Sequence, residues 1–175
     1  MKSKKLTLSI LIVVMLIGLT YFFLPIHKVF TFTDYRSDHP KTFYVKLEDE
    51  MEFQIRYVHS IFLTDVIENY EITNDNAIRL LSMRYEDVGI GLPGFAGEGE
   101  TIEFKDGKYT LTYKENIIDS FVLFVGDVDA DLALIYKGKE IDLKAYLTRG
   151  KSYAFKVKRQ SMYQKMRGVS MNGEK

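Results

Sequence analysis

Two patterns of apolar and polar residues divide the chain. The run that begins at Leu6 and ends at Leu24 holds nineteen residues without a charge, interrupted only by Thr7, Ser9, Gly18 and Thr20. As a helix this run is about 28 Å long, close to the hydrocarbon thickness of a bilayer. After Pro25 the period changes to two, the spacing at which successive side chains point to opposite faces of a strand. Residues 29–33 and 42–47 alternate in this way. Residues 51–60 alternate most clearly, with Met51, Phe53, Ile55, Tyr57 and His59 on one face and Glu52, Gln54, Arg56, Val58 and Ser60 on the other. Residues 66–73 place Val66, Glu68, Tyr70 and Ile72 together.

These two strands predict a hairpin. With His59 opposite Glu68, Tyr57 meets Tyr70, Ile55 meets Ile72 and Arg56 meets Glu71, all favourable cross-strand pairs. A strand over 77–85 follows, then a glycine-rich loop over 89–99. Residues 101–114 turn back at Asp106-Gly107, a two-residue hairpin signal. Residues 121–125 are continuously apolar and predict a central, buried strand. Residues 132–147 form a hairpin turning at Lys137-Gly138-Lys139, and 152–157 supply a last strand. The expectation is an all-β domain of roughly nine strands, an antiparallel β-sandwich or partly open barrel, preceded by one transmembrane helix. The expected division is an anchor over 1–26, a β-domain over 27–167 and a disordered tail over 168–175.

Charge sets the orientation of the anchor. Lys2, Lys4 and Lys5 precede the apolar run, so the N-terminus is expected inside the cytoplasmic membrane and the β-domain on its outer face. The competing reading is a cleaved signal peptide, but the run ends in bulky Tyr21, Phe22 and Phe23 where a peptidase needs small residues. The chain has no Cys, which removes a lipoprotein signal, disulfides and thiolate chemistry together. Beyond the first three lysines the balance is 21 basic to 24 acidic residues, and the last 25 residues carry +6. That distribution does not suggest a nucleic-acid binder. The basic tail, with its aromatic residues, fits a solvated strand surface or contact with anionic lipid.

The motifs that bear chemistry are few. A carboxylate at Glu68 beside His59 would fix the imidazole tautomer or share a ligand with it; the plainer reading is a buried pair that satisfies itself. Ser60 follows His59, but adjacent strand residues point apart, so a nucleophile–base contact does not form in regular geometry. Gly89 to Gly94 spells a dinucleotide-loop pattern, yet Pro93 and the following hairpin deny it the helix that such a loop needs. It reads as a loop requiring positive φ. Asp127, Asp129 and Asp131 resemble the start of a calcium loop but lack its later ligands, so no metal and no cofactor is expected.

Tyr57-Val58-His59-Ser60-Ile61 with Thr64, Val66, Glu68 and Tyr70, and Gly89-Ile90-Gly91-Leu92-Pro93, together resemble the bacterial family called domain of unknown function 1850. The resemblance runs over residues 53–93. It implies a small anchored or exported protein, often encoded beside the fused membrane subunit of TAXI-type TRAP transporters, which import organic acids with a soluble binding protein. It implies no known activity. His59, Ser60, Thr64, Glu68, Gly89, Gly91 and Pro93 are its motif positions, and Ile90 stands where the family has a smaller residue, often Ala. The resulting expectation is a non-enzymatic accessory of a TRAP-type system. Its ligand- or partner-binding site is formed by Tyr57, His59, Ser60, Thr64, Glu68, Tyr70, Gly89, Gly91 and Pro93, and its partners are the bilayer through Leu6 to Leu24, a TRAP membrane subunit or solute-binding protein, or a small organic acid. The alternatives are an envelope hydrolase and a purely structural scaffold.

Overall fold

The computed structural model describes residues 2–172. Helix α1 (Lys2–Phe23) leads into β1 (His27–Asp34), β2 (Thr42–Lys46), β3 (Glu52–Val58), β4 (Asp65–Ile72) and β5 (Ile78–Tyr85). Next come β6 (Glu100–Lys105), β7 (Lys108–Tyr113), β8 (Ile117–Ile118), β9 (Phe121–Val125), β10 (Leu132–Tyr136) and β11 (Lys139–Asp142). A 3-10 turn (Leu143–Ala145), β12 (Lys151–Gln160), α2 (Met162–Arg167) and β13 (Val169–Ser170) complete the chain. The strands form two sheets ordered β13-β2-β1-β12-β9 and β11-β10-β3-β4-β5-β7-β6, with β8 paired to β5. Every pairing but β13 with β2 is antiparallel. The fold is a β-sandwich.

Aromatic side chains fill the space between the sheets. Phe155 of β12 meets Phe32 at 4.9 Å and Phe30 at 5.7 Å within its own sheet, and Phe53 of the facing sheet at 5.5 Å. Phe53 stacks on Tyr70 at 5.0 Å, and Tyr70 stacks in turn on Phe121 at 5.5 Å. Val29 and Thr31, on the outer face of β1, are also buried. Their cross-strand neighbours are Lys46 and Lys158, and Tyr44 and Lys156.

The second sheet is the wider one, and the first does not cover it completely. Beyond the main core, Val66, Met83, Tyr85 and Leu111 form a second cluster closed by Leu92 from the glycine-rich loop. Tyr57 packs against both clusters.

Several expectations change. The span Lys5–Phe23 of α1 is long and apolar enough to cross a membrane, and apart from half-buried Phe22 its residues are exposed. The hairpins at Asp106-Gly107 and Lys137-Gly138 form with both central residues at positive φ, the conformation of type I′ turns. Residues 121–125 are not central: β9 is the edge strand of its sheet, with Val122 and Phe124 exposed and Phe121, Leu123 and Val125 inward. Its unbroken apolar run records one core face and one surface apolar stripe.

Helix α2 was not expected. Its signature is Ser161-x-x-Gln164, a capping box in which both reciprocal hydrogen bonds form. Tyr163 of α2 packs on Phe22 and Phe23 at the end of α1. The tail expected to be disordered from 168 is ordered through Asn172, because Val169 and Ser170 add a parallel strand to β2 and Met171 is fully buried in the main core; residues 173–175 lie outside the described residues. Met171→Ala is expected to cost about 2–4 kcal/mol, the range for emptying a buried aliphatic site, read from chemical denaturation of the full chain. An unchanged midpoint would return this segment to the status of a loose tail.

Candidate functional site

The site lies at the seam between the two cores. Inward-facing residues of β4 run Val66 in the second core, Glu68 between, then Tyr70 and Ile72 in the first. On β3 the same series is Phe53 and Ile55 in the main core and Tyr57 at the seam, with His59 just past the strand's end at the rim. A cavity of about 620 Å³ opens there between the sheets. Ile55, Leu80, Ile118, Phe121, Leu123 and Leu132 supply its apolar wall; its polar lining is Tyr57, Tyr70, Glu68 and Asn116, with His59, Ser60, Asp127, Asp131 and Lys144.

Glu68 is the one acidic group well inside this wall. The Tyr70 hydroxyl donates to its Oε2 at 2.7 Å. Burial pushes the Glu68 carboxyl above its ordinary range, and the Tyr70 hydrogen bond offsets this only in part. Burial and then the Glu68 carboxylate push the Tyr57 and Tyr70 phenols well up, and burial and then the Glu100 carboxylate push Tyr113 up to about 12. These phenols are therefore protonated donors throughout the neutral range.

His59 and Glu68 do not form the expected pair. In the observed register Glu68 lies opposite Ile55, Tyr57 opposite Val66 and Phe53 opposite Tyr70, four positions from the expected alignment. A slip by an even number keeps each residue on its face, so the inward set was read correctly and the partners were not. The tighter register is held on the outer surface, where Arg56 reaches Asp65 at 3.3 Å, Asp131 at 3.5 Å and Glu140. Glu71, its expected partner, pairs instead with Arg79 at 3.0 Å. Gln54, Asn69 and Ser82 link three strands by side-chain hydrogen bonds of 2.8 and 3.0 Å.

His59 is a structural clamp on the turn. Its backbone N–H donates to Thr64 O, and its carbonyl accepts from the Leu63 N–H at 2.8 Å, with Leu63 in the left-handed region. Its Nδ1 accepts from the Phe62 N–H at 3.3 Å and the Ile61 N–H at 3.4 Å. That leaves Nε2 protonated, donating at 3.2 Å to the carbonyl of Ile90. The ring also stacks on Phe62 at 4.9 Å. Both ring nitrogens are thus engaged in tying the β3–β4 turn to the glycine-rich loop, and neither is free to act as a base on exposed Ser60.

The remaining sequence-predicted residues separate into two groups. Tyr57, His59, Ser60, Glu68 and Tyr70 line the one cavity. Thr64 donates to Asp87 at 3.3 Å, and Gly89, Gly91 and Pro93 shape a loop outside the cavity. Gly89, Ile90 and Gly91 all have positive φ, and Gly89 and Leu92 exchange backbone hydrogen bonds. The loop is a tight turn with no helix behind it, and the Pro93 carbonyl accepts from the buried Tyr85 hydroxyl. Ile90 at φ 36 sits in a region unfavourable for a β-branched residue. Among the described residues no cluster of three acids or histidines is arranged to hold a metal; Asp129 pairs with Arg149 and Asp131 with Arg56.

A family model described as Domain of unknown function (DUF1850) matches residues 53–143, more than half of the chain. The chain belongs to the DUF1850 family. No curated protein and no solved structure matches it. The DUF1850 segment contains β3 to β11, hence the whole wider sheet and the edge strand β9. It therefore encloses Glu68 and most of the cavity wall, while Lys144 stands one residue beyond it. Sequence reading missed the far wall of the DUF1850 cavity: Asn116, Ile118, Phe121, Leu123, Leu132 and Lys144. These residues come from three separate segments, 116–123, Leu132 of β10 and Lys144 of the 3-10 turn, and carry no local motif.

The sign of the Glu68 shift gives a pH test. A carboxyl whose folded pKa is raised contributes stability that is fully present below its ordinary value of 4.5 and is lost as pH rises through the folded value. Glu68→Gln, which mimics the protonated form, is expected to match the parent's Tm near pH 4 and to exceed it by a few degrees near pH 8. A gap that is constant across this range would show that Glu68 is not held protonated by burial.

Proposed function

We propose that this DUF1850 chain is a membrane-tethered binding module that takes a small, mainly apolar molecule between its two sheets. The observation that supports it is the placing of Glu68, Tyr57 and Tyr70 against the apolar wall of a cavity of about 620 Å³, with further polar residues such as Asn116, Asp127, Asp131 and Lys144 also in its lining. Ligand sites in proteins have this size and this mixture of an apolar wall with few convergent polar groups. A core that served only to pack would not leave such a space beside an ionisable side chain. The arrangement offers hydrogen bonds and a charge, with both His59 nitrogens already committed, which favours binding over hydrolysis.

The topology supports a second role for the same domain. Strand β1 leaves the anchor at His27 and ends at Asp34, and Val125 pairs with Lys151 just past that far end. The Val58 N–H donates to Asp131 O, so the β3–β4 turn lies at the same far end, and His59 holds the glycine-rich loop beside it. Leu63 and Phe95, 73% and 79% exposed, and the exposed Ile61 and Ile90 thus belong to the two segments that His59 joins at the end of the domain opposite the start of β1. Exposed apolar patches mark contact sites for proteins. We read the chain as an accessory of a TRAP-type transporter, single-pass in the cytoplasmic membrane with its β-domain outside. The family resemblance and the lysines before the apolar run support this setting.

Two experiments test these readings. Full-length protein in nanodiscs is expected to bind the uncharged probe 3-phenylpropan-1-ol, and Leu80→Trp, which fills the cavity, to weaken that binding at least about tenfold. Equal binding by the two proteins would place the probe elsewhere and remove the ligand reading. For the accessory role, affinity capture of the full-length protein from its own membranes is expected to recover a TRAP membrane subunit or solute-binding protein, with Leu63→Asp/Phe95→Asp losing it. Capture of no transporter component by the unaltered protein would end the transporter assignment.

A further inference from the structure

The cavity holds a carboxylate but no cation to meet it. Among the described residues Glu68 takes part in no ion pair, and its hydrogen-bond partner is a neutral phenol. The basic side chain in the cavity wall is Lys144. Its ammonium is committed to the carbonyls of Val128, at 2.8 Å, and Ala130, where it fastens the loop that follows β9. The His59 Nε2–H is likewise spent on Ile90 O. Asp127 and Asp131 add two more acids at the mouth, and Asp131 is shared with Arg56 on the outer surface. Acids therefore outnumber bases around the opening, and such a field concentrates cations.

An aromatic ring stands on the same side as the charge. Tyr57 lines the cavity beside Tyr70, whose own ring is covered on its two faces by Phe53 at 5.0 Å and Phe121 at 5.5 Å. An aromatic face such as that of Tyr57 attracts a positive group, most strongly once it is desolvated. The rest of the wall is aliphatic and fits an apolar body. From this geometry we propose that the cavity takes an organic amine: a protonated nitrogen against Glu68 and Tyr57, carried on an apolar body that fills the rest of the space. The inference rests on the reading of this cavity as a ligand site and names the class of ligand.

The energetics run in the same direction. A carboxylate moved out of water without a cation is costly, and the raised protonation of Glu68 expresses that cost. A cation arriving with the ligand restores the charged form and removes the penalty. An organic anion finds no free cation in the described lining, with Lys144 and His59 already occupied. The small organic acid expected from the family's transporter setting is therefore the wrong class for this cavity.

The test compares three probes of similar shape: 3-phenylpropan-1-amine, 3-phenylpropan-1-ol and 3-phenylpropanoate. Each is titrated into full-length protein in nanodiscs of zwitterionic lipid, with binding to empty nanodiscs subtracted. The amine is expected to bind at least about tenfold tighter than the alcohol, one such factor being the usual worth of a charge-assisted contact, and the acid weakest. In Glu68→Gln the amine's advantage over the alcohol is expected to collapse to less than about threefold, with alcohol binding showing that the variant is folded. An acid that binds as tightly as the amine, or an amine preference that survives in Glu68→Gln, would overturn the proposal while the alcohol's binding left the cavity reading standing. Failure of all three probes to bind would overturn both.

Discussion

The aromatic stack that joins the two sheets is the contact on which the rest of the molecule depends. Phe53 of the wide sheet stacks on Tyr70, Tyr70 on Phe121 of the narrow sheet, and Phe155 closes against Phe53 and against Phe121 at 4.8 Å. Aromatic pairs at these distances add about 0.5–1.5 kcal/mol each beyond the area they bury. In a chain without disulfides this layer carries much of the inter-sheet cohesion. It also fixes the site, because the ring of Tyr70 is clamped on both faces and its hydroxyl is thereby aimed at Glu68.

The cavity follows from a mismatch in sheet width. The narrow sheet covers one part of the wide sheet, and the glycine-rich loop covers another through Leu92. Between the two coverings runs a seam where neither packs fully, and Tyr57 and Glu68 face into it. His59 holds the seam's outer edge by linking the β3–β4 turn to Ile90 of the loop. The two segments on which the family resemblance rests, around His59 and around Gly89, are thus two sides of one joint. Their residue types are explained by closure of that joint, and the polar chemistry lies one layer deeper, at Glu68.

Much of this was legible in the chain, and the parts that were not have physical causes. Alternation in β3 and β4 gave the inward faces, including Tyr57, Glu68 and Tyr70, because side-chain period is a local property. Register is not local. The turn from Ser60 to Thr64 contains no Gly, Asn or Pro to mark its type, and it closes through Leu63 at positive φ and a side chain, His59, acting as an acceptor for two backbone N–H groups. The edge position of β9 depended on which strands β12 selects, which periodicity cannot report. The order of Met171 depended on a two-residue strand too short to leave a pattern, although the capping box at Ser161 was there to be read. The far wall of the cavity was invisible because it is assembled from three separate segments.

The central claim is that the space beside Glu68 is occupied in the working protein. Native mass spectrometry of the full-length protein, released from its own membranes, tests it most directly. The expected spectrum carries a small basic molecule at one per chain, absent from Leu80→Trp prepared in the same way. A bare chain, or the same adduct in both proteins, would contradict it.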